Sequence, residues 1–204
     1  MSALRRVATL VAQGAPPGEV FAAVTAEVGR VLAADYTYLS RYDPDGAATI
    51  LAAWARTGAA PFGRAGDRLE LGGRNVHTLV FQTRRPAQID DYASASGPAA
   101  AAGLAAGMRS AVGVPVSVAG RLWGVISVGS TRAKALPAGT EARLAGFTEL
   151  AATAIANAQA RVELRGFAEE QAALRRVSDT GGRRGAAGGG VRRGHRGGPA
   201  AAGG

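Results

Sequence analysis

The feature that most narrows what this chain can fold into is Arg109–Ser130, RSAVGVPVSVAGRLWGVISVGS. Val112, Val114, Val116 and Val118 alternate with small or polar residues, and a second apolar run, Leu122 to Val128, follows after Ala119-Gly120. A period of two on either side of a short turn predicts a β-hairpin with one face on a core. The second run is apolar on both sides except at Gly124 and Ser127, which places it centrally in a sheet covered on both faces. Gly113 and Gly124 leave gaps on that surface where another backbone or a ligand can approach closely.

With 204 residues, 47% of them apolar, the chain has room for one domain with appendages. It contains no cysteine, which excludes disulfides, thiolate metal sites and thioether-linked cofactors and points to a reducing, cytoplasmic setting. Arg5-Arg6 precede a short apolar stretch, but Val7 to Ala12 is too brief for a signal peptide and reads as an amphipathic helix. The uncharged run Ala93 to Met108 is Ala and Gly broken by Pro98, so no membrane span is expected. The net charge of +9 is unevenly placed: residues 178–204 hold five arginines and one aspartate, and Lys134 is the sole lysine. The body is therefore only mildly basic, and no specific nucleic-acid partner is expected of it.

A repeat explains the basic end. Ala3-Leu4-Arg5-Arg6-Val7 recurs as Ala173-Leu174-Arg175-Arg176-Val177. Beyond Val177 the protein similarity stops, yet 23 of the 26 codons for residues 178–203, read one nucleotide later, can encode the residue 170 positions earlier. Free third positions inflate that agreement, but they do not explain one register held throughout. The segment 178–204 is thus expected to be the start of a second, homologous domain translated out of frame. Its Arg/Gly composition then follows from GC-rich codons, and an RNA-binding reading of it recedes. With Val191 its single large aliphatic residue, it is expected to be disordered.

Along the body, Leu4, Val7, Leu10 and Val11 predict a helix closed by Gly14 and Pro16-Pro17, and Val20 to Leu32 predict a second. Tyr36 to Tyr42 and Ala47 to Trp54 flank Asp43-Pro44-Asp45-Gly46, a second hairpin. Short strands are expected at Arg68–Leu71 and Pro86–Asp90, with a helix at Asn75–Gln82 capped by Asn75. A weak helix is expected within Ser94–Gly107 and a long one over Pro137–Glu170, striped by Leu144, Phe147, Leu150, Ala151, Ala154, Ile155 and Val162. The fold class is α+β: an antiparallel sheet with helices packed largely on one face and a long C-terminal helix.

The segments LRRVATLVAQGAPPGEVFAAVTAEVGRVLAAD, LGGRNVHTLVFQTRRPAQIDDY, RSAVGVPVSVAGRLWGVISV and TEARLAGFTELAATAIANAQARVELR together resemble a GAF domain, in particular the tandem GAF modules of actinobacterial sensor histidine kinases. The resemblance implies a six-stranded sheet over residues 3–165, followed by a helical connector at 166–177 and the disordered tail. It also implies a non-catalytic regulatory module that binds an unknown small molecule between sheet and loops, pairs as a homodimer through its terminal helices at Leu144, Ile155 and Val162, and signals to an output domain absent from this chain. A different class of role, a scaffold that only pairs helices around a vestigial pocket, stays open beside it. Cyclic-nucleotide-binding members of the family carry a Lys-Phe pair that this sequence lacks, and its bilin-attaching and methionine-sulfoxide-reducing branches need cysteine.

By the same resemblance Tyr38, Trp54, Asp90, Asp91, Tyr92, Arg109 and Ser110 border the pocket, mixing aromatic walls with polar anchors as ligand sites do. The competing reading is that Tyr38 and Trp54 pack in the core and Asp91 caps a turn. Some members of the family hold haem through a histidine, and His77, the one histidine of the body, is the position that would do so here; a surface or partly buried helix position is the preferred account of it. No nucleophile–base pair, metal-ligand spacing or kinase phosphoacceptor is present in the pattern, so no catalytic residue and no metal are expected.

Overall fold

The computed structural model describes residues 2–57, 59, 62–132, 136–137, 139–161 and 164. The expected connector at 166–177, the tail at 178–204 and Val162 lie outside the described residues. Residues 1–160 form one compact unit.

The chain opens with α1 (Ala3–Ala12), capped by the Ser2 side chain, which accepts from the Arg5 N–H at 3.3 Å. Gly14 turns the backbone left-handed at φ +71°, and Pro17 starts α2 (Pro17–Val31) in the position where a missing N–H costs nothing. Six strands follow: β1 (Tyr36–Tyr42), β2 (Ala47–Ala55), β3 (Arg68–Glu70), β4 (Ala87–Ile89), β5 (Ser110–Val118) and β6 (Arg121–Ser130). Between them lie α3 (Val76–Thr83), a 3-10 turn at Tyr92–Ser94 and α4 (Pro98–Ala105). A final helix, α5, runs over residues 140–161.

The sheet order is β3-β2-β1-β6-β5-β4 with every pairing antiparallel. The valine-rich hairpin is β5–β6, and β6 lies in the interior of the sheet as its two apolar faces require. Its turn is Ala119-Gly120, with φ +49° and +74°, the left-handed pair that matches the twist of the strands. Two extra residues interrupt the ladders. Leu39 pairs with Ala52 and Ser40 with Ile50, leaving Leu51 as a bulge in β2; Val116 pairs with Gly124 and Ser117 with Leu122, leaving Trp123 as a bulge in β6.

One sheet face is covered by the helices. Leu39, Ala52, Val112, Val114, Val116, Ile126 and Val128 pack there with Val7 of α1, Val20, Val24 and Val28 of α2, and Leu144, Phe147 and Ile155 of α5. Each large side chain so buried contributes about 1.5–3 kcal/mol. Leu144 and Ile155, expected to line a seam between two chains, are instead inside this chain's own core at 0% and 4% exposure. The helical stripe in the sequence reports burial against the sheet, so any pairing of α5 uses other residues.

Two buried carboxylates fasten this half. Glu27 of α2 accepts from Arg6 of α1 and from Arg30 at 2.9 Å, and the Arg6 bond holds its pKa below the usual carboxylate range. Asp35, fully buried ahead of β1, accepts from the Thr131 N–H at 2.7 Å, the Thr131 hydroxyl at 2.9 Å and Arg56 Nε at 2.7 Å. It thereby ties the start of β1 to the ends of β6 and β2.

Candidate functional site

The opposite face is covered by loops, α3 and α4. Alternation along β1 directs Tyr36, Tyr38 and Ser40 to it, and their partners on β6 are Gly129, Ser127 and Val125. Tyr36, Tyr38, Ile50, Val76, Ile89, Tyr92, Ala100, Met108 and Ala111 form its core. Gly113 is what lets α3 sit here: a Cβ on it would stand 3.1 Å from Val76 and 3.3 Å from Val80.

The position of α3 is set by Asn75. Its side chain accepts from the Thr78 N–H at 3.0 Å, capping the helix as expected, and donates to the Gly72 carbonyl at 2.8 Å and the Ser96 carbonyl at 3.3 Å. Two loops are clasped together at this point. Ser96 N–H donates to the Arg74 carbonyl at 2.9 Å, Arg74 N–H donates to Ser96 Oγ at 2.8 Å, and Gly97, at φ +92°, leaves no room for a Cβ beside the Gly72 carbonyl.

His77, the second residue of α3, is buried against the sheet with Nε2 3.4 Å from Ser127 Oγ, and its carbonyl accepts from the Tyr42 hydroxyl at 2.8 Å. Burial lowers its pKa to about 4, so the ring is neutral at neutral pH. Haem does not fit this arrangement: the ring nitrogen an iron would need faces Ser127 and the packed sheet. The Tyr38 hydroxyl lies beside the Phe62 backbone without a well-formed hydrogen bond, and Ser40 Oγ has none. Burial raises the pKa of Tyr38, and that of Tyr92 to about 12, so both phenols remain protonated donors. The Tyr36 hydroxyl donates to the Ala106 carbonyl at 3.0 Å. Phe62 completes an aromatic cluster, its ring centroid 4.5 Å from that of Tyr38 and 6.0 Å from that of Tyr36.

The candidate residues therefore divide. Tyr38, His77 and Tyr92 meet in the interior of this face. Asp91 and Arg109 lie outside it, on a cleft of about 250 Å³ shared with Ala93, Leu104, Gly107 and Met108; Met108 also belongs to the interior cluster and walls the cleft from it. Asp91 accepts from the Ala93 N–H at 3.0 Å and so caps the 3-10 turn, while Asp90 is exposed and bonds the Gln88 side chain. Trp54 and Ser110 are on the helix-covered face. Trp54 pairs with Thr37 rather than with a tyrosine, and its ring lies over Gly29 of α2, where a Cβ would come within 2.1 Å of it. Ser110 shares its parity with Val112. A second cleft, about 350 Å³, lies at the hairpin turn between Arg121, Trp123 and Gln159, and none of the candidates lines it.

Ser40, Ser127, Phe62 and Met108 were not among the candidates. Ser40 was legible as the polar member of the Tyr36, Tyr38, Tyr42 alternation, and Ser127 as the polar exception in β6. Nothing in the sequence marks Phe62 or Met108. Among the described residues no group of three or more His, Cys, Asp or Glu side chains is placed to hold a metal ion, and no helix is long and apolar enough to cross a membrane.

The GAF domain family model matches residues 14–156, and the chain belongs to that family. Its fold is similar to that of the phycocyanobilin-bound GAF domain from a cyanobacterial phytochrome, at 21% identity and a TM-score of 0.65, over 79% of this chain and 95% of that one. The GAF domain of a phosphoenolpyruvate-protein phosphotransferase from Coxiella burnetii is similar at 19% identity and 0.64, over 79% and 95%. Its counterpart from Acinetobacter gives 17% and 0.61, over 78% and 93%. Comparison with curated proteins finds no match.

Proposed function

We propose that this GAF domain is a non-catalytic regulatory module that binds a small molecule on the loop-covered sheet face and relays the change through α5. One observation carries the reading: of the four buried hydroxyls without well-formed partners among the described residues, Tyr38 and Ser40 share the loop-covered face with a neutral buried histidine, while Thr37 and Ser110 lie on the helix-covered face. Unsatisfied buried hydroxyls cost stability, and a ligand that bonds them offsets that cost. The phytochrome domain of similar fold also carries a small molecule, although thioether attachment of one is closed to a chain without cysteine. The test has two arms. Extraction of the purified protein followed by mass spectrometry is expected to release one bound compound. Ser40→Ala and Tyr38→Phe are expected to raise Tm while losing that compound, a trade of stability against function. A protein that purifies empty, with both variants less stable than the parent, would contradict the proposal.

On this reading the polypeptide is a cytoplasmic, homodimeric input part of a longer regulator such as a sensor histidine kinase, and it neither spans a membrane nor binds a specific nucleic acid. The Ala173–Val177 repeat supports the longer regulator. In α1 the same pentapeptide has defined tasks: Leu4 lies over Gly146, Arg6 bonds Glu27, and Val7 is fully buried. The frame one nucleotide downstream can restore, within codons 190–198, counterparts of Val20, Phe21, Val24, Thr25, Glu27 and Val28, which are the buried residues of α2 apart from Gly29. The nucleotide sequence past codon 177 is expected to continue in that frame as a second module. A stop codon there, or a translation unrelated to residues 8–33, would exclude it.

A further inference from the structure

We propose that the ligand of the loop-covered face is an uncharged, flat aromatic molecule with a hydrogen-bond acceptor, and that the Phe62 ring occupies its place in the empty protein. The inference rests on that face being the binding site and adds what the site accepts.

The charge argument comes first. Among the described residues the buried carboxylates are Glu27, Asp35 and, by its side chain, Asp43, which Arg41 and Thr49 hold at the β1–β2 turn, and no arginine is buried. Glu27 is on α2, and Asp35 is engaged by Thr131 and Arg56 at the end of the sheet. Besides Ser40 and the tyrosines, the buried polar side chains of this face are Asn75, Thr78, Ser127 and the neutral His77, none of them charged. An ionised ligand would leave water there without a counter-charge, which the interior does not tolerate. A neutral one loses little solvation and gains the Tyr38 O–H and Ser40 O–H as donors.

The shape argument comes from Phe62. Its ring lies 4.5 Å from Tyr38 and, edge-on at 73°, 6.0 Å from Tyr36, an aromatic packing that a planar ligand reproduces. The backbone is pressed onto the sheet immediately after it. A Cβ on Gly63 would stand 2.5 Å from Ile50 Cδ1, so glycine lets the chain lie directly against the Ile50 side chain. Phe62 is nonetheless only half-buried, so it is held less firmly than Tyr36 or Tyr38, each 2% exposed. Its ring supplies tilted and edge-on aromatic contacts but no acceptor, and the Tyr38 hydroxyl beside it has no well-formed hydrogen bond. A heteroaromatic ring supplies both.

Quinoline, neutral at pH 7.5 and carrying one ring nitrogen, is the probe, with quinoline-2-carboxylate as its charged counterpart, titrated calorimetrically into the full chain. Removing the plug by Phe62→Ala is expected to tighten quinoline binding roughly tenfold, the size of one lost aromatic pair contact. The carboxylate is expected to bind every variant at least about tenfold more weakly than quinoline, its charge being unmatched. Adding Tyr38→Phe to Phe62→Ala is expected to reverse most of the gain. Phe62→Leu, which keeps apolar volume, serves where the alanine variant fails to fold, and is expected to tighten binding in the same direction.

Carboxylate binding as tight as that of quinoline overturns the neutral class. Phe62 variants that bind quinoline no better than the parent, or not at all, overturn the plug. Either failure, alongside a compound that co-purifies with the parent, leaves the regulatory reading intact. Tighter quinoline binding to the Phe62 variants supports the plug even where the parent purifies empty.

Discussion

Replacing Asp35 by alanine is expected to cost about 3 kcal/mol, visible as a lower urea midpoint with an unchanged slope. The side chain is fully buried and gathers three strand ends: the Thr131 N–H and hydroxyl after β6, and Arg56 after β2, whose own N–H donates to the Asp35 carbonyl at 2.9 Å. Its removal leaves the Thr131 N–H without its acceptor and the Arg56 guanidinium without its partner. The figure sits at the low end for a broken buried pair because Arg56 is 56% exposed and water takes over part of its charge. Asparagine in its place is expected to retain part of the loss, since its carbonyl still accepts from Thr131 but carries no charge for Arg56. The same residue fixes a pH dependence. Burial pushes the Asp35 carboxyl up, but the Thr131 bonds and Arg56 outweigh it, and the net shift is down. A carboxyl depressed in the folded state contributes its stability above the unfolded pKa of about 4 and loses it as pH falls through the folded value. The parent chain is therefore expected to lose stability in acid, below about pH 4, more steeply than Asp35→Ala, whose stability no longer depends on that carboxylate. Urea midpoints for the two proteins between neutral pH and pH 3 that stay parallel would contradict this role.

The sequence announced the sheet more clearly than the site. The turn residues Ala119-Gly120, the double-faced β6 and the Asn75 cap were legible because each depends on neighbours within a few positions. Trp54 shows where such reading fails. Counting back from the Asp43–Gly46 turn, a regular hairpin pairs Arg41 with Thr49 and Ser40 with Ile50 and would go on to put Trp54 opposite Tyr36, on the ligand face. The Leu51 bulge shifts the register by one, Trp54 lands opposite Thr37, and its ring goes to α2. Nothing local specifies that bulge; its effect is to put two successive residues, Leu51 and Ala52, together on the helix-covered face. Leu144 and Ile155 failed for a different reason. A helical stripe states that a face is buried without stating against what, and here the sheet takes it. Ser110 is a misreading that parity with Val112 could have prevented.

Gly124 and Gly113 were both expected to mark close approaches, and they are expected to differ sharply on mutation because different atoms approach them. At Gly124 an added Cβ would stand 2.2 Å from the Ser40 carbonyl oxygen. That oxygen belongs to the backbone of β1 at the point where the Leu51 bulge already bends the pairing, and it cannot move without opening the β1–β6 ladder in the middle of the sheet. Gly124→Ala is therefore expected to cost about 3 kcal/mol or more, the upper range for overpacking. At Gly113 the nearest atoms are Val76 Cβ at 3.1 Å, Val80 Cγ2 at 3.3 Å and Val125 Cγ2 at 3.4 Å. These are side chains, two of them on α3, and a shift of α3 by a few tenths of an ångström accommodates the methyl. Gly113→Ala is expected to cost about 1 kcal/mol, part of it returned because alanine loses less backbone entropy than glycine in a strand. The displacement of α3 carries His77 with it, so Gly113→Ala is also expected to weaken ligand retention while Gly124→Ala principally unfolds. Chemical denaturation of the two variants, with the bound compound quantified in each, reads both effects. Equal losses of stability would mean that the Ser40 backbone yields as readily as a helix does, and that β6 is not the rigid centre on which the ligand face is built.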